Sequence, residues 1–222
     1  MRGAWDRPLR RATRLLGGLV LFGVALAVLI EADLGLDPWT VFSQGASDRT
    51  GLSIGTVIII TSLVVLLIWI PLGQRPGLGT IANALVVGPV LDVALGIVPA
   101  PGGLGMQIAY MVVAILATAV ATGLYVGAGW GPGPRDGLMT GLAARGVPIA
   151  AARGGVELTV LAVGWLLGGT VGVATVVFAA TIGPLVKRAL RLLSLPPASR
   201  PASEQAPVPA AASGGAARSA RP

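Results

Sequence analysis

Six long apolar runs dominate the sequence and set the class of fold. They lie at residues 15–32, 54–72, 78–98, 106–128, 150–168 and 170–190. Each is close to the ~20 residues that a helix needs to cross the hydrocarbon core of a bilayer. Strands of a membrane barrel are shorter, and a backbone in lipid must satisfy its own hydrogen bonds. The sequence therefore predicts an all-α, polytopic membrane protein with six transmembrane helices.

Composition excludes several classes of function. Only 11% of the residues are charged, whereas soluble domains average about 25%. The net charge is +7, but the basic residues flank the apolar runs without interleaved aromatic residues, which does not predict a nucleic-acid partner. The chain has no Cys and no His, and it lacks a phosphate-binding loop. We therefore predict no enzymatic activity, no metal site and no cofactor.

Charge placement predicts the topology. Cytoplasmic loops of membrane proteins are enriched in Lys and Arg. If both ends are cytoplasmic, all Lys and Arg except Arg49 fall in cytoplasmic segments. The predicted units are a basic N-terminus (1–14), two three-helix units (15–98 and 106–190) and a disordered Ala/Pro-rich tail (195–222).

The two three-helix units resemble each other in sequence. Glycine, proline and threonine recur at a spacing of 96 residues that becomes 95 after one deletion; the pairs include Gly35 and Gly131, Pro38 and Pro134, Thr80 and Thr175, and Pro89 and Pro184. A unit with three spans reverses the direction of the chain through the membrane. The sequence therefore predicts two inverted repeats, an arrangement common in secondary transporters.

In each repeat, the first span is followed by a stretch with helix-breaking Gly and Pro, at residues 34–40 and 129–137. We call these two stretches the broken segments. A short, fairly apolar stretch follows each one, at 39–46 and 138–143. These stretches are predicted to be either re-entrant helices or helices lying at the membrane interface. The topology places one broken segment near each face of the membrane, which is where gates would lie if the protein has them.

Four motifs carry a resemblance to a known family. They are GLDPWTV at 35–41, TGLSIG at 50–55, QRPGLGT at 74–80 and GPGPRDGLM at 131–139. Together they resemble the YczE/YyaS/YitT-type family of bacterial integral membrane proteins, over about residues 10–190. The resemblance implies a multi-pass protein of the bacterial cytoplasmic (inner) membrane. It implies no catalytic or ligand-binding residues.

Polar residues inside the apolar runs are candidates for a solute or ion pathway, because charges within spans are costly and need partners or water. Asp92 follows Gly88 and Pro89, which can open the helix, so it can bind a cation or proton; an interface carboxylate is the alternative. Asn83 lies deeper in the same run. It either lines the pathway or hydrogen-bonds a neighbouring helix.

Four further candidates lie outside that run: Asp37, Arg135, Asp136 and Glu157. Arg153 and Glu157 have the i, i+4 spacing of an ion pair on one helix face, which would reduce the cost of inserting the fifth span. Arg135 and Asp136 are adjacent and so should have separate partners, an anion for Arg135 and a helix start for Asp136. The alternative is a basic cytoplasmic loop with turn residues and no ligand. Asp37 belongs to an acidic outer loop that either attracts cations or is simply solvated.

Two functions remain open from the sequence. The first is a secondary transporter or permease that binds an unknown small solute or ion between the repeats. The second is a non-transporting membrane scaffold, accessory subunit or regulatory subunit. In both, the lipid bilayer is the main partner. Spacings such as Gly164 to Gly168 permit close helix packing and also permit a homodimer.

Overall fold

A computed structural model describes residues 6–195, with side chains from residue 8 onward. All regular secondary structure in that region is α-helical: α1 (Asp6–Glu31), α2 (Pro38–Thr50), α3 (Ile54–Leu72), α4 (Leu78–Leu95), α5 (Leu104–Gly127), α6 (Pro134–Ala143), α7 (Ile149–Leu167) and α8 (Val173–Leu193). Six of these are long and apolar enough to span a membrane. The all-α, six-span prediction is confirmed. The predicted disordered tail lies outside the described residues except for Leu195.

Local sequence explains where the helices begin and end. The bounds of α3 coincide with the second apolar run, because Ser53 caps its first turn and Gly73 ends it in the left-handed conformation (φ 67°). Helix α1 begins earlier than its apolar run, at Asp6, since its first turns are basic yet still helical. The short helices are longer than predicted: α2 continues to Thr50, and α6 already begins at Pro134.

Helices α1 and α5 pack against each other and run antiparallel. One buried cluster joins Leu19 and Phe22 of α1 to Tyr125 near the end of α5. A second cluster joins Leu29, near the end of α1, to Met111 in the first half of α5. Helix α4 packs on the first cluster and α8 on the second, so these four long helices form the centre of the protein.

Equivalent contacts link the two halves crosswise. The Ala174 amide, at the start of α8, donates to the Leu34 carbonyl in the loop before α2 (2.8 Å). The Gly79 amide, at the start of α4, donates to the Trp130 carbonyl in the loop before α6 (2.8 Å). The last helix of each half thus holds the broken segment of the other. These paired contacts agree with the internal repeat; the inverted orientation of the halves in a membrane stays a prediction.

Candidate solute site between the two short helices

The starts of the two short helices meet inside the protein. Nη1 of Arg135, in the first turn of α6, lies 3.3 Å from Oδ1 of Asp37, the residue before α2. Asp37 is 1% exposed and the Arg135 side chain 28%. The Arg135 guanidinium also lies 5.4 Å from the ring centroid of Phe22. Phe22 is nine residues from the end of α1, or about 13 Å along the helix, so the pair lies far from either end of that span.

The two broken segments follow α1 and α5, which run antiparallel, so they begin at opposite ends of the bundle. That start agrees with the prediction that 34–40 and 129–137 lie near opposite faces, but both segments reach inward until Asp37 and Arg135 touch. Gly35 (φ 105°) and Gly131 (φ 116°) adopt backbone conformations that favour glycine, and they turn the chain back between the long helices. Both short helices begin at a buried residue, Pro38 in α2 and Pro134 in α6. That burial fits re-entrant helices rather than helices lying on the surface.

The Asp37 carboxylate does not cap α2, although it is in the capping position. No side-chain cap hydrogen bond forms there, since Oδ1 faces Arg135 instead. Its other oxygen, Oδ2, is buried without a hydrogen-bond partner among the described residues. The Arg135 guanidinium lies over the rings of Phe22 and Trp39, at 5.4 and 5.8 Å from their centroids, so both rings stabilise its charge.

Two cavities flank the Asp37–Arg135 pair. We call the first the donor cavity; its volume is about 30 Å³, and its lining includes Trp39, Thr40, Ser43, Asn83 and Arg135. The second, the acidic cavity, has a volume of about 80 Å³, and its lining includes Asp37, Trp39, Thr118, Tyr125, Arg135, Asp136, Arg153 and Glu157. Trp39 and Arg135 line both, so the cavities adjoin at these two side chains.

Unpartnered polar atoms concentrate at these cavities. In the described part of the chain, four buried side-chain atoms lack a hydrogen-bond partner: Asp37 Oδ2, Trp39 Nε1, Thr40 Oγ1 and Thr118 Oγ1. All four belong to residues that line the donor or the acidic cavity. Buried polar groups are nearly always paired, by protein or by ordered water. Their concentration here indicates a place for a ligand or for water.

The structure brings five of the six predicted pathway residues to these cavities. Asn83 lines the donor cavity, whereas Asp37, Asp136 and Glu157 line the acidic cavity and Arg135 lines both. Arg135 and Asp136 do have separate partners: Arg135 donates to Asp37, and the Tyr125 hydroxyl donates to Oδ2 of Asp136 at 3.2 Å. The predicted capping role of Asp136 is not seen, since α6 starts without a side-chain cap hydrogen bond. The expected pair of Arg153 and Glu157 is also confirmed, at 3.1 Å.

Sequence comparison identifies the family. The model of a family of unknown function, DUF6198, matches residues 9–191. The chain belongs to this family. The resemblance to YczE-type proteins is confirmed by the uncharacterized membrane protein YczE of Bacillus subtilis, which is 31% identical over 90% of this chain and 96% of the relative. An uncharacterized protein of Haemophilus influenzae is 36% identical over 86% of this chain and 88% of its own length. No solved structure matches.

Asp92 lies elsewhere in this YczE-type fold. Its Oδ2 accepts a hydrogen bond from the Ser53 hydroxyl (2.6 Å), and its Oδ1 accepts one from the Gly55 amide (2.8 Å). Both oxygens therefore anchor the start of α3 to α4, which is a local structural role. Asp92 lines neither of the two cavities. Its role as a coupling carboxylate stays a prediction that the geometry does not favour.

Sequence reasoning missed four residues that shape the site of this family member. The sequence analysis assigned no role to Phe22, Trp39, Tyr125 or Thr118, because uncharged aromatic side chains and a lone threonine in or beside an apolar run do not by themselves indicate a site. A weak signal existed for Trp39, which directly follows Pro38 in a repeated motif. Trp69 has a supporting role, because its Nε1 donates to the Pro134 carbonyl at 2.9 Å and so fixes the start of α6.

Proposed function

We propose that the chain is a secondary transporter of the bacterial cytoplasmic membrane, with both termini cytoplasmic. It moves a small solute that binds at the junction of α2 and α6. One observation carries the proposal: the Asp37–Arg135 pair lies between two cavities whose linings hold all four unpartnered polar atoms described above. A structural ion pair alone would not need unpartnered groups on both of its sides.

The chemistry of the donor cavity indicates the polarity of the solute. Leaving one buried polar group unpaired costs about 1–3 kcal/mol, which a ligand recovers. Trp39 Nε1 can only donate a hydrogen bond. Arg135 has five N–H donors, and its one hydrogen bond within the described chain uses a single one of them. A solute with acceptor oxygens, such as a small carboxylate, therefore fits this cavity.

The two short helices supply the moving parts in this proposal. Each belongs to a different half of the chain, and their starts meet over the site. Broken helices near the midplane, one from each inverted repeat, are typical of secondary transporters. If the halves are inverted repeats, a shift of α2 opens the cavities to one side and the equivalent shift of α6 opens them to the other.

The second candidate is a scaffold or accessory subunit that transports nothing. The cavity volumes favour it, since about 30 and 80 Å³ fall well below the roughly 300–1,000 Å³ of common small-molecule pockets. In that case water alone occupies the cavities. The transporter proposal instead requires either a solute of a few heavy atoms or a rearrangement of α2 and α6.

A binding screen followed by uptake distinguishes the two candidates. The full chain, purified in detergent, is heated with formate, acetate, lactate or glycine, and any solute that raises the melting temperature is tested for uptake into proteoliposomes. We expect uptake of at least one solute, lost in Arg135→Gln and kept in Arg75→Gln. Arg75 is an exposed arginine in the loop before α4, which makes it a matched control.

Two outcomes would count against the transporter. A solute that binds through Arg135 but never enters the vesicles supports the regulatory alternative, and the absence of any binding solute supports the scaffold. Asp92→Asn belongs in the same series. If it abolished uptake without lowering the melting temperature, Asp92 would return as the coupling carboxylate.

A further inference from the structure

We infer that the acidic cavity binds a monovalent inorganic cation, and that this cation is coupled to the solute at Arg135. The inference rests on the proposed function but concerns a separate cavity and a different ligand. It is carried by the charges that line the acidic cavity and by two fully buried acceptor atoms, Asp37 Oδ2 and Thr118 Oγ1.

The lining of the acidic cavity has an excess of one negative charge. Three carboxylates and two guanidiniums line it. Arg135 pairs with Asp37 and Arg153 pairs with Glu157, which leaves Asp136 with only the Tyr125 hydroxyl as its polar side-chain partner in the described chain. An uncompensated charge within a membrane domain is costly. A single positive charge in the cavity would restore neutrality.

The two unpartnered atoms indicate where that charge binds. Asp37 is 1% exposed and Thr118 is 2% exposed, and both line the acidic cavity. A carboxylate oxygen and a hydroxyl oxygen are hard ligands of the kind that alkali and other hard cations prefer. A volume of about 80 Å³ also has room for a few waters beside the ion, since one water needs roughly 10–15 Å³ by the same measure.

A divalent metal fits this cavity less well. No group of three or more Asp, Glu, His or Cys side chains in the described region is arranged to hold a metal ion. Two positive charges would also exceed the single negative charge left over after pairing. The two guanidiniums in the lining, Arg135 and Arg153, would add further repulsion.

The position of Asp37 connects the cation with the solute. Asp37 faces Arg135 through Oδ1 and has Oδ2 free for the cation. A cation at Oδ2 draws the carboxylate away from Arg135, because the two positive groups then share one negative partner. Arg135 becomes a better ligand for the solute's oxygens in the donor cavity. By thermodynamic linkage, the solute must raise the affinity for the cation by the same factor.

Cation binding is testable without knowing the solute. The melting temperature of the full chain in detergent is measured in NaCl, in KCl and in N-methylglucamine chloride at equal ionic strength, and the Kd is taken from a titration of the stabilising salt. We expect Na⁺ or K⁺, but not N-methylglucamine, to stabilise the protein. Thr118→Val keeps the side-chain shape, removes one ligand and should weaken cation binding about tenfold; Asp37→Asn should abolish it.

Thr181→Val is the matched control. The Thr181 hydroxyl donates to the Val177 carbonyl one turn earlier and lines neither cavity, so cation binding should not change. Equal stability in the three salts would overturn the inference, as would cation binding that Thr118→Val and Asp37→Asn leave intact. Stabilisation that follows pH instead of the cation would assign a proton to the cavity and also overturn it. Solute uptake that persists without any cation effect would leave the proposed function standing.

Discussion

Arg135→Met lowers the free energy of unfolding by about 3 kcal/mol, the lower end of the cost of removing one partner from a buried ion pair. The lower end applies because the Arg135 side chain is 28% exposed whereas Asp37 is 1% exposed. The substitution leaves the Asp37 carboxylate buried with neither of its oxygens paired. It also removes the guanidinium from the rings of Phe22 and Trp39. The change in the free energy of unfolding is measured by thermal or denaturant unfolding in detergent, with tryptophan fluorescence as the signal.

The double variant Asp37→Asn/Arg135→Met identifies the source of this loss. Removing both charges leaves no unpaired charge in the interior, which costs less than removing one member of the pair, so the double variant should be more stable than Arg135→Met. Arg75→Met removes an exposed arginine and should be nearly neutral. If the double variant were no more stable than Arg135→Met, the loss would come from packing of the Arg135 side chain and not from the buried charge.

Gly164→Ala has the second large expected effect. Helix α7 crosses α2 at this glycine, and an added Cβ would lie 2.5 Å from both the Cα and the amide nitrogen of Phe42. Because the obstacle is backbone, no rotamer change relieves the clash. Overpacking of this kind costs about 1–3 kcal/mol. Displacing α2 also moves Asp37 and Trp39, so we expect solute and cation binding to weaken together with the melting temperature.

Gly155→Ala is the control on the same helix. Nothing lies within 4 Å of its added Cβ, and alanine favours a helix over glycine by about 1 kcal/mol. Gly155→Ala should therefore be neutral or slightly stabilising. If Gly164→Ala behaved like Gly155→Ala, α2 would not be held against α7 as described. Gly164 packs closely against α2 of the same chain. The Gly164–Gly168 spacing is therefore explained by packing within one chain and does not require a homodimer.

The long helices could be predicted from the sequence because lipid allows little else. An apolar run of about 20 residues has to be helical in a bilayer, and the second run matched α3 residue for residue. The predicted helix ends differ from the observed ones where polar residues continue a helix beyond the apolar run, as in the basic first turns of α1. The sequence predicted that the two short helices exist. It did not predict how deeply they lie between the long helices, because surface and re-entrant helices have the same sequence pattern.

The site was predictable as a set of residues but not as an arrangement. Five polar candidates were found because charges in apolar surroundings need partners. The partner of Asp37 is Arg135, 98 residues away in the other half, and no local rule connects them. Asp37 was assigned to an acidic outer loop because Glu31 and Asp33 are near it in sequence. Only the turn at Gly35 buries Asp37 and leaves Asp33 exposed.

Labelling of a single cysteine tests most directly whether the cavities open to both sides of the membrane. The chain has no native Cys, so Asn83→Cys places one thiol in the donor cavity without background. Ala114→Cys, in the packed core (0% exposed), and Asp48→Cys, at the exposed end of α2, serve as controls.

Right-side-out and inside-out vesicles are treated with a membrane-impermeant thiol reagent. A transporter predicts labelling of Asn83→Cys from both faces, of Asp48→Cys from one face and of Ala114→Cys from neither. Labelling of Asn83→Cys from one face alone, or from neither, would contradict transport through this site.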